Sequence, residues 1–256
     1  MKPFHAIALL IVSCAMLTAC AMTPDADTDG QESFQISKKK GQAYLDRGVP
    51  TMALPALRRA RELQPNDPDV LLLLGMAYDQ VDRPLQALES LERAYRLRPG
   101  DGRIANNLGV VLMRMERLDE ARKAFENALN DVNLPTPEEI HFNLALLHKK
   151  QGQTRETMTR LEQAIQVKPG FVPALMELAD LHRAMGRSDL EQKQLRLIVQ
   201  EMPDHVGAME RLADSYLHDN KNKEARALLQ AIRSLDPEGQ AARRAMEKLT
   251  ILEKLP

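Results

Sequence analysis

Small and large apolar residues alternate along this chain with a period of 34 residues, interrupted by a single step of 36. The small residues are Gly41, Gly75, Gly109, Ala145, Ala179 and Ala213. The larger ones follow sixteen positions later, at Leu57, Leu91, Phe125, Leu161, Leu195 and Leu229. Two antiparallel helices approach closely only where one side chain at their crossing is tiny. The pattern therefore predicts six helical hairpins, in which Gly75 is expected to face Ala87 and Gly109 to face Ala121.

Two further markers accompany the small residues. Three positions after five of the six comes an aromatic or imidazole side chain, at Tyr44, Tyr78, His148, His182 and Tyr216. A proline closes each period, at Pro65, Pro99, Pro135, Pro169, Pro203 and Pro237. Proline lacks the amide proton and clashes with the preceding turn, so these prolines predict the ends of the second helices. Asn66, Asp67 and Asp204, beside two of them, are predicted to cap the following helices.

With these residues the chain resembles the tetratricopeptide repeat, six times over. One hairpin cannot bury its apolar stripe alone, so the resemblance implies an all-α, right-handed superhelical solenoid with a concave face. The predicted repeats are residues 34–67, 68–101, 102–137, 138–171, 172–205 and 206–239. Residues 240–256 are predicted to form a C-terminal capping helix.

The charge balance and the aromatic content of the chain limit which partners and which core it can have. The chain carries 35 basic and 36 acidic residues, and this balance argues against a nucleic acid held by bulk electrostatics. Short basic clusters such as Lys38-Lys39-Lys40 are interpreted as solvated helix faces. Only 4% of residues are aromatic and Trp is absent, so the core is expected to consist of leucine and alanine, with methionine filling gaps.

The amino terminus has the pattern of a secretory signal. Lys2 precedes an apolar run from Ala6 to Met16, too short to span a bilayer as a mature helix, so residues 1–19 are predicted to be a signal peptide. The run ends in Leu17-Thr18-Ala19-Cys20, which resembles a bacterial lipobox and implies lipidation of Cys20. The alternative is an ordinary signal peptide that happens to contain this cysteine.

Lipidation would place the protein on a membrane without spanning it, because two or more acyl chains anchor stably. In the lipoproteins that this segment resembles, Asp immediately after the cysteine favours inner-membrane retention, and here that position is Ala21. We therefore expect the periplasmic face of the outer membrane. Residues 20–33 are acidic, with no apolar period, and are predicted to be a flexible tether.

A binding groove can be predicted by repeat position, because the first helix of each tetratricopeptide hairpin lines the inside of the superhelix. The predicted groove residues are Leu72, Met76, Asn106, Asn107, Val110, Met113, Phe142, Asn143, Leu146 and Met176. The apolar members would form a continuous strip that accepts an amphipathic helix or an extended apolar peptide. For any one of them, packing against the neighbouring repeat is the alternative interpretation.

Asn107 and Asn143 occupy the same repeat position, where an amide can bind the backbone of a peptide through both donor and acceptor. Both are also ordinary residues of a helix surface. The two ends of the groove are expected to be polar, with Gln35, Lys38 and Gln42 in repeat one and Glu210, Asp214 and His218 in repeat six.

The sequence contains no recognisable catalytic motif. His141, His148 and His182 suggest a metal site, which would make a metal-dependent enzyme the alternative from another functional class. However, His148 and His182 hold the Tyr position of the other repeats, which favours a packing role. No His-Glu-x-x-His motif, phosphate loop or nucleophile elbow occurs, so we expect no catalysis and no cofactor.

One irregularity distinguishes this chain from other tetratricopeptide proteins. Ala128 and Pro135 are seven residues apart, where the matching distance in repeats one, two and four is five. The lengthened joint, Asn130 to Pro137, follows Asn106-Asn107-Leu108-Gly109 and precedes Phe142-Asn143-Leu144-Ala145. Together with residues 169–179 these segments resemble the tetratricopeptide pilotins of type IV pili, the PilF/PilW type. Leu134, Glu191 and Ile198 depart from the pattern of that family.

That resemblance implies a non-enzymatic outer-membrane lipoprotein that binds secretin subunits in its groove and assists their assembly during type IV pilus biogenesis. Its partners would be a protein, held through an apolar or amphipathic segment, and the membrane, through the lipid. A tetratricopeptide lipoprotein scaffold for cell-wall hydrolases, or for another envelope complex, is the alternative.

Overall fold

The computed structural model describes residues 26–253, and all regular structure in this range is helical. The helices are α1 (Ala26–Asp46), α2 (Pro50–Leu63), α3 (Pro68–Gln80), α4 (Pro84–Leu97), α5 (Gly102–Arg114), α6 (Leu118–Ala128), α7 (Pro137–Lys150), α8 (Thr154–Val167), α9 (Val172–Ala184), α10 (Ser188–Glu201), α11 (Val206–His218), α12 (Asn222–Leu235) and α13 (Gln240–Glu253). Consecutive helices α1 to α12 pair as six hairpins, which form a right-handed superhelical solenoid.

The hairpins pack on one another in chain order. The second helix of each hairpin contacts the first helix of the next, and the first helices α1, α3, α5 and α7 also contact one another in sequence. The core consequently extends along the solenoid axis as a series of apolar clusters. Helix α13 packs on α12 and α11, and its Ala245, Leu249 and Leu252 share a buried cluster with Leu229 and Ile232.

The small residues face the large apolar residues that follow sixteen positions later. A Cβ added to Gly75 would lie 2.4 Å from Leu91 Cγ, and one added to Gly109 would lie 2.6 Å from Phe125 Cε1. The nearest atoms thus belong to Leu91 and Phe125, each four residues after the predicted Ala87 and Ala121, and both alanines are fully buried. A large side chain of one helix fills the notch that the missing Cβ leaves on the other.

Each hairpin reverses direction at a residue in the left-handed backbone region. The residues are Gly48, Asp82, Glu116, Gly152, Gly186 and Asn220, whose φ angles lie between 57° and 72°. They repeat with the same period as the small core residues, including the longer step in the middle. Glycine adopts this conformation without steric cost, and Asn and Asp tolerate it better than most residues.

The predicted helix caps are only partly as expected. Asp67 caps α3, because its Oδ1 accepts a hydrogen bond from the Val70 amide at 2.7 Å. Asn66 instead accepts a hydrogen bond from the Arg93 guanidinium, at 2.7 Å. Asp204 is not the cap of α11, since His205 occupies that position and its Nδ1 accepts from the Ala208 amide at 3.0 Å.

Only part of the amino-terminal segment belongs to the residues that the structure describes. The signal peptide, residues 1–19, and Cys20 lie outside the described residues. Helix α1 begins at Ala26. Residues 26–33, which were predicted to be part of a flexible tether, are therefore helical. Phe34, the next residue of α1, is 1% exposed and belongs to the first apolar cluster. Its burial anchors this part of α1 to the solenoid.

Among residues 26–253, no helix combines the length and the apolar character needed to cross a bilayer.

The contact between Gly75 and Leu91 generates the first testable prediction. Gly75→Ala should lower the free energy of unfolding by about 1–3 kcal/mol, because the new methyl group overpacks the hairpin. Gly30→Ala on α1 is the matched control, since nothing lies within 4 Å of a Cβ added to Gly30. Because alanine favours helix, the control should leave stability unchanged or raise it slightly. Urea unfolding followed by circular dichroism measures both, and a Gly75→Ala protein as stable as the wild type would contradict the packing described.

Candidate protein-binding groove

The first helices of repeats one to four enclose a pocket of about 560 Å³ on the inner side of the superhelix. Helices α1, α3, α5 and α7 contribute most of the wall, and the segments between α4 and α5 and between α6 and α7 contribute the rest. The lining residues are Lys38, Gln42, Asp69, Leu72, Leu73, Met76, Arg98, Arg103, Asn106, Asn107, Leu134, Pro135, Thr136, Glu139 and Ile140. A volume of this size falls in the range of ordinary ligand pockets.

The floor of the pocket is apolar and mostly buried. Leu72 and Leu73 are 5% and 6% exposed, and Ile140 is fully buried. Met76 is half-buried and packs against the core with one part of its surface. A ligand would therefore contact only the small exposed part of each floor side chain, while the buried part stabilises the solenoid.

The remaining apolar residues of the predicted strip lie outside this pocket. Val110 and Met113 are half-buried and pack against the core of repeats one to four. Phe142 packs edge-on against Phe171, with ring centroids 5.7 Å apart. Met176 packs against the core of repeats five and six, and Leu146 is half-buried. The strip thus combines ligand-accessible positions with contacts between neighbouring repeats.

A cluster of charges forms one rim of the pocket around Asp69. The Asp69 carboxylate accepts hydrogen bonds from Arg98 at 2.8 Å and from Lys38 and Arg103, each at 3.3 Å. The hydrogen bond from Arg98, supported by the charge of Lys38, lowers the pKa of Asp69 to about 2. Asp69 is therefore ionised throughout the physiological pH range.

Two more carboxylates balance the three cations of this rim. Lys38 also contacts Asp67 at 3.1 Å, and Asp101 accepts from Arg103 at 2.9 Å and from Arg98 at 3.3 Å. Burial alone would raise the pKa of Asp101, but the hydrogen bond and charge of Arg103 outweigh it, so this pKa is lowered. Since every cation of the rim contacts a carboxylate, the rim carries no surplus positive charge.

The asparagines of the groove use amide protons within the protein. Asn143 donates to Asn106 Oδ1 at 2.8 Å, and Asn107 donates to the Arg103 carbonyl oxygen at 2.8 Å. Asn106 and Asn107 line the pocket, whereas Asn143 reaches it only through its hydrogen bond to Asn106. One amide N–H of Asn107 stays available to a ligand, and Asn106, which uses only its oxygen, keeps both of its amide N–H groups.

Several lining residues were not predicted from the sequence. Arg98 lies just beyond the end of α4, and its guanidinium extends to Asp69 on α3. The lengthened joint contributes Leu134, Pro135 and Thr136. Its extra residues were the sequence signal that could have indicated this part of the pocket wall. Ile140 was missed because the groove positions were assigned by their place in the repeat.

Comparisons with known proteins agree with this architecture. Sequence models of the tetratricopeptide repeat match residues 38–80, 80–137 and 192–240, which together make up more than half of the chain. The chain belongs to the tetratricopeptide-repeat family. A search of curated protein sequences found no match.

Solved structures with similar folds include three tetratricopeptide-repeat proteins. PilF of Pseudomonas aeruginosa is 19% identical, with a TM-score of 0.69 over 86% of this chain and 99% of the other. PilW, described as a widely conserved type IV pilus biogenesis factor, is 20% identical, with a TM-score of 0.68 over 83% and 98%. YrrB, described as having an unusual peptide-binding site, is 19% identical, with a TM-score of 0.51 over 75% and 98%. At these identities the likeness concerns the fold alone.

Tetratricopeptide repeats five and six contain a second, polar cavity of about 430 Å³. It is lined by Arg183, Gly186, Ser188, Glu191, Arg211, Asp214, Ser215 and His218. Glu191, one of the departures noted in the sequence, is 5% exposed and lies 3.5 Å from Arg211, which also contacts Asp180 at 2.7 Å. Ile198, another departure, is fully buried in the apolar cluster of these repeats.

The three histidines of repeats four and five lie in separate environments. His148 Nδ1 is 2.6 Å from Gln153 Oε1, whereas Nδ1 of His141 and of His182 has no hydrogen-bond partner within residues 26–253. His182 is buried in the position that Tyr78 and Tyr216 occupy in other tetratricopeptide repeats. In the part of the chain that the structure describes, no three His, Cys, Asp or Glu side chains are placed to hold a metal ion.

The burial of His182 generates a prediction about pH. Burial and the charge of Arg187 lower the pKa of His182 below its usual 6.5, and Glu162 opposes this only in part. The unfolded chain therefore binds a proton at higher pH than the folded chain, so stability should fall as the pH drops through 6.5. We expect His182→Leu to flatten this decline in melting temperature, and His218→Leu, at an exposed groove position, to leave it unchanged. Equal slopes for wild type and His182→Leu would contradict this account.

Proposed function

We propose that this tetratricopeptide-repeat protein binds a polypeptide partner in the pocket that α1, α3, α5 and α7 enclose. The observation that carries the proposal is the combination of a buried apolar floor with an ordered, charge-balanced rim on the inner helices. A segment with aliphatic side chains would bury apolar area against Leu72 and Met76. Its backbone would find amides at Asn106 and Asn107 beside the floor.

We further propose a pilotin-type role, in which the partner is a secretin subunit that the protein escorts or holds during type IV pilus biogenesis. Two observations support this. The fold is similar to PilF and PilW over nearly their whole lengths. The joint between repeats three and four has the lengthened form noted in the sequence, from the end of α6 at Ala128 to the start of α7 at Pro137.

The location proposed for this role is the periplasmic face of the outer membrane. Its support is the sequence alone. The lipobox-like segment ends at Cys20, and the residue after this cysteine is Ala21 and not Asp. Lipid anchoring would keep the groove close to the membrane in which secretins assemble. A lipoprotein scaffold for cell-wall hydrolases would have the same anchor and groove, so the identity of the captured protein separates the two roles.

Capture of purified secretin subunits tests the groove. Met76→Glu should reduce capture at least about tenfold, because a charged carboxylate on the apolar floor must lose its hydration when a ligand binds. Met52→Glu is the matched control, since Met52 lies on the second helix of repeat one, away from the pocket, and is 52% exposed. Melting curves of both variants report on folding.

The outcome is decided by comparison of these two variants. Loss of capture by Met76→Glu alone, with a melting temperature close to that of the control, supports groove binding. Equal capture by both variants would refute the groove assignment. Met76 is preferable to Phe142 for this test, because Phe142→Glu would also break the contact between Phe142 on α7 and Phe171 at the start of α9.

Membrane fractionation tests the anchor. Cys20→Ala should move the protein from the outer-membrane fraction to the soluble periplasmic fraction, because the acyl chains would have no acceptor thiol. Cys14→Ala is the control, since Cys14 lies within the predicted signal peptide and would be removed with it. Continued membrane association of Cys20→Ala would mean that another attachment exists.

A further inference from the structure

The joint between α6 and α7 folds toward the groove. Helix α6 ends at Ala128 and α7 begins at Pro137, so residues 129–136 connect them without regular structure. Leu134, Pro135 and Thr136 from this joint line the inner pocket beside Arg98 and Arg103. The same joint contributes Asp131, Asn133 and Pro135 to an adjoining cavity of about 400 Å³ that the two arginines also line. It therefore forms one wall of the pocket.

Asp131 fixes this wall to the start of α5. Its Oδ2 accepts a hydrogen bond from the Gly102 amide at 2.8 Å, and its Oδ1 accepts one from the Asn133 amide at 3.0 Å. The Asp131 carbonyl also accepts from the Leu134 amide at 3.1 Å. The first amides of a helix have no partner within the helix, and the helix dipole favours a carboxylate there. One carboxylate thus links the joint to α5 and sets its turn.

Gly102 permits the joint to approach this closely. A Cβ at Gly102 would lie 2.8 Å from both Leu134 Cδ1 and the Ala128 carbonyl oxygen, and 3.0 Å from Asp131 Cβ. No side chain larger than hydrogen fits between α5 and the joint. Leu134 is consequently pressed against the start of α5, half-buried, with the rest of its surface toward the pocket.

We propose that the joint, residues 129–136, is part of the partner-binding surface and that Asp131 is its positioning residue. The occupant is an aliphatic segment of the partner, held between the floor at Leu72 and Met76 and the wall at Leu134 and Pro135. Every cation of the rim already contacts a carboxylate, so apolar contact is the main attraction that this pocket offers. The inference rests on the groove binding proposed above and adds a second side to the site.

Affinity for purified secretin subunits, measured with the full-length protein, tests this inference. Asp131→Ala should weaken binding about tenfold, because the wall loses its hydrogen bonds to the Asp131 side chain and its position relaxes. Hydrogen–deuterium exchange at the Gly102 and Asn133 amides should become faster. Asp131→Asn should recover part of both properties, since its amide oxygen can still accept a hydrogen bond. Asp119→Ala is the matched control, because Asp119 lies on α6 with its side chain 84% exposed.

Leu134→Ala tests the wall directly, including the case in which Asp131→Ala fails to fold. It should weaken secretin binding while exchange at Gly102 stays slow, a separation that a purely structural role of the joint would not produce. Wild-type affinity in both Asp131→Ala and Leu134→Ala, together with lost binding in Met76→Glu, would overturn the inference and leave the groove proposal standing. Wild-type affinity in all three variants, or no binding of secretin by the wild type, would overturn both.

Discussion

The close approach of two helices at a residue without a large side chain is the contact on which the rest of this solenoid depends. Gly41, Gly75 and Gly109 face Leu57, Leu91 and Phe125 so closely that an added methyl group would overlap the partner. In later repeats Ala145 shares a buried cluster with Leu161, Ala179 with Leu195, and Ala213 with Leu229. Because the contact joins residues sixteen positions apart in every repeat, each hairpin has a similar shape, and similar hairpins stack into a superhelix.

The groove follows from this stacking. Regular hairpins place their first helices side by side, so side chains from α1, α3, α5 and α7 converge on one inner pocket. Its apolar floor continues the solenoid core, which explains why Leu72 and Leu73 are nearly buried while they also line the pocket. Ion pairs between neighbouring repeats, such as Lys38 with Asp69 and Arg103 with Asp69, hold the rim. Packing and binding therefore use the same residues, and a groove variant must be judged by stability as well as by binding.

The sequence predicts the repeats well because their period is a property of local spacing, which the order of residues records directly. It predicts the site less well, because the site depends on how chain segments meet. The atoms nearest to a Cβ on Gly75 belong to Leu91, one turn beyond the predicted Ala87. Arg98 and Leu134 enter the groove from segments between helices, whose course the period does not determine. The Phe142 ring on α7 packs against Phe171, the residue before α9, and residues 26–33 are helical where their acidic composition indicated a tether.

The central claim is that a polypeptide partner occupies the inner face of the superhelix between repeats one and four. Hydrogen–deuterium exchange of the protein with and without secretin subunits tests it most directly, since it locates the bound surface without any substitution. The account predicts slower exchange in α3, α5 and residues 129–136, with no change in the second helices α4 and α6. Protection confined to those second helices, with the inner helices unaffected, would contradict it.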